Sequence, residues 1–80
     1  MNDYIATFHT HLSAMRSQRT LSVRGVQARL SPVPRSLSAS CGTCVRYRAD
    51  TPCLDALDRD MELVVRQIKE GEYEPIAQNE

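Results

Sequence analysis

No stretch of this chain approaches the roughly 18 uninterrupted apolar residues that a membrane-spanning helix needs. Its first residues also lack the basic-then-apolar pattern of a secretory signal, so the expectation is a cytoplasmic protein with no membrane partner. Cysteine is scarce: three among 80 residues is an odd number and too few for a stapled secreted scaffold. Reduced thiols, redox chemistry or metal binding therefore fit better than a disulfide framework. Length excludes a further class. At about 0.1 kcal/mol per residue the folding stability is on the order of 8 kcal/mol, and a deep enclosed active site is not expected of one domain spanning residues 1–80. No internal repeat suggests otherwise.

Net charge is absent too, with ten basic and ten acidic side chains, but the balance conceals an asymmetry. From Met1 to Ala49 seven arginines (16, 19, 24, 29, 35, 46 and 48) face Asp3 alone, a balance of +6; from Asp50 onward Arg59, Arg66 and Lys69 face nine carboxylates, a balance of −6. Such a split suits either an anion-binding half and a docking half or two halves that attract each other when folded. The second is the simpler reading, since the acidic residues fall on one predicted helix and its flanks.

Tyr4, Ala6 and Phe8 share one face of a first strand, Tyr4 to Phe8, at period two. His9 ends it, and Thr10 caps a helix running to about Arg24, with Gly25 as the left-handed residue after it. The apolar stripe of that helix (Leu12, Ala14, Met15, Leu21 and Val23) is interleaved with serines and Thr20, which are poor helix formers. Val26, Ala28 and Leu30 alternate with Gln27, Arg29 and Ser31 in a second strand that stops at Pro32. After a loop over residues 32–42, Val45, Tyr47 and Ala49 alternate with Cys44, Arg46 and Arg48 in a third strand. Thr51-Pro52 then reads as a helix start, with Asp55 and Asp58 at the positive end of the dipole. Leu54, Leu57, Met61, Val64 and Ile68 form the stripe of a second helix. Asp55 to Arg59 and Glu62 to Arg66 are its i,i+4 pairs, and Gly71 is its terminator. Tyr73 to Ala77 reads as a last strand, confined to an edge by Pro75.

The order β-α-β-β-α-β predicts an α+β domain, a ferredoxin-like split βαβ sandwich: a four-stranded antiparallel sheet with two helices on one face. The first and third strands are then central, and the other sheet face is open, carrying Thr7, Gln27, Arg29, Cys44, Arg46 and Arg48.

Chemistry points to the loop. A cysteine works as its thiolate, which nearby cations or backbone N–H groups favour. Arg35 and Arg46 bracket Cys41 in sequence, and small residues ending in Gly42 let N–H groups turn toward a sulfur or an anion. The competing reading is a Ser/Pro loop with an incidental cysteine. A thioredoxin-type pair wants its first cysteine at a helix N-terminus, whereas Cys41-Gly42-Thr43-Cys44 precedes a strand. Zinc needs four ligands, and Cys53, His9 and His11 are a loose complement to C-x-x-C; no metal is assigned. Cys53, in the first turn of the second helix, reads as a half-buried thiol, and Cys41 is expected to alkylate ahead of it. His9 at the end of the first strand is within reach of Cys41. An RNA-binding sheet needs stacking aromatics, and Tyr47 and Phe8 point into the core, which disfavours nucleic acid.

The segments Ala6-Thr7-Phe8-His9, Gly25, Leu30, Pro32-Val33-Pro34-Arg35 with Leu37 and Ser38, then Ser40-Cys41-Gly42 and Arg46 carry a resemblance. In order, over nearly the whole chain, they resemble a family of short bacterial and archaeal selenium/sulfur (Se/S) carrier-like proteins. The resemblance implies that Cys41 holds sulfur or selenium as a persulfide or selenosulfide, with Arg35 and Arg46 as the matching basic residues and Ser38, Ser40 and Gly42 around it. Cys44 stands where the family pattern has alanine, and is either a resolving thiol or a passive small residue. A carrier, more than a turnover enzyme, is implied. It needs no resident cofactor, but it does need a donor protein such as a cysteine desulfurase and an acceptor enzyme. The sequence leaves a homodimer open. The competing class is a thiol-based redox or small-anion-binding regulatory module, in which Cys44 is required equally with Cys41.

Overall fold

The computed structural model describes residues 1–37 and 39–79. Strand β1 (Asn2–Phe8) carries Tyr4, Ala6 and Phe8 on one face and Ile5 and Thr7 on the other, and all five are buried. A strand buried on both faces must be interior and covered on both sides. Strand β1 pairs with β3 (Thr43–Ala49) along one edge and with β4 (Met61–Lys69) along the other, both antiparallel. Strand β2 (Gln27–Pro32) lies outside β3 and β5 (Glu72–Gln78) outside β4, so the sheet has five strands in the order β2-β3-β1-β4-β5. Pro32 and Pro75 both fall on edge strands, where a missing N–H is tolerated.

Helix α1 (His11–Val23) lies on the near face, capped by Thr10, whose hydroxyl accepts from the Ser13 N–H, and followed by Gly25 at φ +85°. Its buried residues are Ser13, Ala14, Ser17 and Leu21, whereas Leu12, Met15 and Val23 of the expected stripe are exposed. Small side chains let the helix sit close to its neighbours. The two serines also make fastenings: Ser17 Oγ accepts from the Asp58 N–H at 2.8 Å, and the Ser13 hydroxyl donates to Asp60 at 2.6 Å. Beneath the helix Tyr4 and Tyr47 stack with ring centroids 5.3 Å apart, and the Tyr47 hydroxyl donates to the Pro52 carbonyl at 2.6 Å.

The ferredoxin-like split βαβ sandwich with a four-stranded sheet and two helices does not form. Its first half does, as β1, α1, β2 and an intervening β3, but the second helix is replaced by a three-residue 3-10 turn (Leu54–Ala56) and strand β4. Cys53, at φ 51°, stands in the left-handed region ahead of that turn, so no helix runs on from Pro52. The expected stripe of Leu54, Leu57, Met61, Val64 and Ile68 ignored Val65, which is buried as completely as Val64 on the opposite face. A helix lying on one side of a sheet buries one stripe, whereas an interior strand buries both. Burying two valines stabilises by roughly 3–6 kcal/mol, against about 0.2–0.5 kcal/mol for each i,i+4 ion pair of a helix. Those pairs regroup. Arg66 meets Glu74 across the β4–β5 ladder at 3.0 Å, and Asp55 meets Arg24 at 2.8 Å. Gly71, at φ +78°, turns the β4–β5 hairpin instead of ending a helix.

The far face is not fully open either. Thr7 and Cys44, expected to be exposed there, are buried under the loop after β2, whose Val33 and Leu37 pack against a small second core of Ile5, Cys44 and Val65. Among the described residues no helix is long and apolar enough to cross a membrane.

Val65→Ala is accordingly expected to cost about 2 kcal/mol in urea unfolding and Ile68→Ala, at an exposed position, under about 0.5 kcal/mol. The opposite order would mean that residues 61–69 are a helix.

Candidate functional site

Cys41 lies where β1 and β3 run out at the end of the sheet. Phe8 closes β1 and Thr43 opens β3, and the Cys41 thiol is 3.3 Å from the first carbonyl oxygen and 3.4 Å from the second. Its single S–H donates to one of the two at a time. The loop that carries it is closed at its base by the Val33 N–H donating to the Gly42 carbonyl at 3.1 Å, and Gly42 makes the closing turn at φ +72°. Cys41 itself is half-buried.

A second fastening comes from β4. The register between β1 and β4 slips where Thr7 pairs with Leu63 and Phe8 with Met61, leaving Glu62 unpaired in a bulge. Bulges re-aim side chains, and the Glu62 carboxylate meets the loop: the Ser40 N–H donates to Oε1 at 2.9 Å and the Ser40 hydroxyl to Oε2 at 3.1 Å. His9 Nδ1 lies 3.4 Å from Ser40 Oγ and 3.6 Å from Glu62 Oε2. His11 Nδ1, at the first residue of α1, lies 3.2 Å from Thr43 Oγ1. Cys41 therefore sits one residue from a His9–Ser40–Glu62 cluster. Asp60, next to that cluster, accepts from the Ser13 hydroxyl at 2.6 Å, the Thr10 N–H at 3.0 Å and the Thr10 hydroxyl at 3.1 Å. Those hydrogen bonds, Ser13 foremost, and the nearby His9 hold its carboxyl below the usual range.

Cys44 has a different fate. It is fully buried, its thiol donates to the Pro32 carbonyl at 3.6 Å, and burial pushes its pKa up against the smaller pull of Arg46 and Arg29. Arg46 lies on the far face beside Cys44, its Nε–H donating to Ser31 Oγ at 3.2 Å. Arg35 is exposed on the outer turn of the loop. Among the described residues neither guanidinium is a hydrogen-bond partner of Cys41. Ser38 lies outside the described residues. Of the residues singled out in the sequence, Cys41, Ser40, Gly42 and His9 come together, Cys44 is adjacent but sealed, Arg46 is engaged with Ser31, and Arg35 is exposed on the same loop. Glu62, Thr43 and Asp60 were missed. Glu62 and Asp60 had been assigned to a helix, and only the antiparallel β1–β4 pairing brings them to His9. Among the described residues no group of three or more His, Cys, Asp or Glu is placed to hold a metal ion.

The end of the small β-rich sheet thus holds one half-buried thiol, Cys41, beside the sealed Cys44. The chain belongs to the family described as "Putative Se/S carrier protein-like", whose model matches residues 3–74. It is also similar to "Uncharacterized protein YtiA" of Escherichia coli (strain K12), 29% identical over 45 residues, which is 56% of this chain and 53% of that relative. The chain thus matches about half the length of that relative. No solved structure matches.

Two measurements follow from the site. Under residue-resolved iodoacetamide labelling near neutral pH, Cys44 is expected to react at least tenfold more slowly than Cys41 and Cys53, because access is blocked and its thiolate is disfavoured; equal rates would mean that the loop does not cover it. Asp60 gives a pH signature. A depressed carboxyl stabilises the fold above the unfolded value of about 3.9 and loses that contribution as pH falls through the folded value. Asp60→Asn is expected to melt below the wild type at neutral pH and to converge with it in acid. A constant gap would show that the charge is not the cause.

Proposed function

We propose that the protein carries sulfur or selenium on Cys41 between two partner proteins. One observation carries the reading: in a member of a carrier-like family, Cys41 is held half-buried at the sheet end between two backbone carbonyls while the neighbouring Cys44 is sealed. A carried sulfur must reach a donor and an acceptor in turn, yet be sheltered from bulk thiols. A half-buried thiol on a loop closed at its base and fastened at Ser40 offers both.

Loading is a thiol exchange. The Cys41 thiolate attacks the terminal sulfur of a persulfide on a donor such as a cysteine desulfurase. The donor's S–S bond breaks, its thiolate leaves with the electron pair, and Cys41 keeps the sulfur as a persulfide. Delivery repeats the exchange with an acceptor thiol attacking the same terminal sulfur, and no external oxidant is needed. The terminal sulfur is more acidic than a plain thiol, and Arg35 on the same loop is the cation suited to its charge-assisted hydrogen bond. Selenium follows the same exchange from a donor selenosulfide: the Cys41 thiolate attacks the terminal selenium, the donor's S–Se bond breaks, and the donor thiolate leaves with the electron pair. Cys44, buried and protonated, takes no part in transfer.

Incubation with a cysteine desulfurase and cysteine is expected to add one sulfur, about 32 Da, at Cys41, where the thiolate is the acceptor. Cys41→Ser should abolish the adduct, Arg35→Ala should shorten its life, and Cys44→Ala should retain it. A wild type that releases sulfide and accumulates a Cys41–Cys44 disulfide would favour the redox module instead, and no uptake of sulfur or selenium from any donor would remove the carrier reading.

A further inference from the structure

The register of the sheet lays the far face out in rows. Ser31, Cys44, Thr7 and Leu63 form one, capped by the loop. Arg29, Arg46, Ile5 and Val65 form the next, and Gln27, Arg48, Asp3 and Gln67 the third. The second and third rows line a concavity of about 580 Å³ that includes Arg29, Arg46, Arg48, Asp3, Gln27 and Gln67. Arg29 and Arg46 are direct cross-strand partners. Such partners have Cβ atoms roughly 5 Å apart, and like charges placed so repel. Among the described residues neither has a carboxylate partner: Arg46 donates only to the Ser31 hydroxyl. Arg48 is partly committed, its Nε 3.3 Å from Asp3 Oδ1. Three guanidinium groups and one carboxylate leave the concavity with an excess of two positive charges.

We propose that this concavity is a binding site for a tetrahedral phosphoryl dianion, held by Arg29 and Arg46 together. The charge excess matches a dianion. Two guanidinium forks emerging side by side from one face offer paired N–H donors in the geometry that suits phosphate oxygens. Ile5, between Arg46 and Val65 in the same row, is the apolar residue of the floor. Gln27 and Gln67 add neutral donors at the rim. The space falls in the range typical of small-molecule sites and exceeds what a bare ion fills, so an organic phosphate monoester suits it as well as free phosphate. The site is separate from Cys41: it lies up the sheet from the covered row that contains Cys44.

Calorimetric titration of the full chain with inorganic phosphate and with phenyl phosphate tests this. Saturable one-to-one binding is expected, at least tenfold weaker in Arg29→Gln and in Arg46→Gln and unchanged in Arg19→Gln on the exposed side of α1. Without ligand Arg29→Gln should melt no lower than the wild type, because it removes a like-charge pair, which shows that its lost binding is not lost folding. Tighter binding of phenyl phosphate assigns an organic monoester, and equal binding assigns the free ion; both support the site. Cys41→Ser should bind as wild type does, so the result stands or falls apart from sulfur loading. Absence of saturable binding to both probes at millimolar concentration overturns the proposal. So does binding that both arginine variants leave intact, or that Arg19→Gln weakens equally.

Discussion

Burial of β1 on both faces is the constraint on which the rest depends. Tyr4, Ala6 and Phe8 need a cover on one side, and α1 supplies it, while Ile5 and Thr7 need one on the other. Among the described residues no second α-helix covers that side; the loop after β2 folds over it, with Val33 and Leu37 as its apolar contacts. The same strand needs hydrogen-bonded neighbours along both edges, which draws residues 61–69 into the sheet as β4. The loop that bears Cys41 is therefore part of the packing, and its geometry is set by the strand it covers.

That arrangement divides the two cysteines of Cys41-Gly42-Thr43-Cys44. Gly42, with its positive φ, reverses the chain between loop and strand. Cys44 then enters β3 on the covered row opposite Thr7, while Cys41 stays at the exposed end against the Phe8 and Thr43 carbonyls. Thr7 Oγ1, next to Cys44, is a buried hydroxyl with no hydrogen-bond partner among the described residues, so this covered row tolerates some polarity without satisfying it. Glu62 completes the division from the other side. A one-residue bulge turns its carboxylate onto Ser40, and two charge-assisted hydrogen bonds of the stronger kind hold the loop one residue from the thiol.

The charge asymmetry resolves in a related way. Among the described residues Arg24 to Asp55 is the guanidinium–carboxylate pair that joins the basic half to the acidic half. Glu74 and Glu72 meet Arg66 and Lys69 of their own half, whereas Asp50 lies beside the Met1 amine and Asp60 and Glu62 accept hydrogen bonds from Ser13 and Ser40 of the other. Arg29, Arg46 and Arg48 are left on one open stretch of sheet. Contacts between the halves thus account for part of the asymmetry, and the uncovered rows concentrate basic groups that remain.

Much was legible in the sequence because it is local. Period-two alternation marked β1, β2 and β3; Thr10 and Gly25 bounded α1; Pro75 required an edge; and the resemblance around Pro34-Arg35 and Ser40-Cys41-Gly42 pointed to Cys41. The second half was misread because its signals are ambiguous over short range: Met61 to Ile68 satisfies a helical stripe as well as a doubly buried strand, and Thr51-Pro52 opens a 3-10 turn as readily as a helix. Only the demand of β1 for a second neighbour decides between them. The site followed the same division. Residue types near Cys41 could be read along the chain, but His9, Glu62 and Asp60 meet through strand pairing across about fifty residues of sequence. The burial of Cys44, and the turning of Arg46 toward it instead of toward Cys41, come from which face the loop covers, and the packed sheet alone sets that.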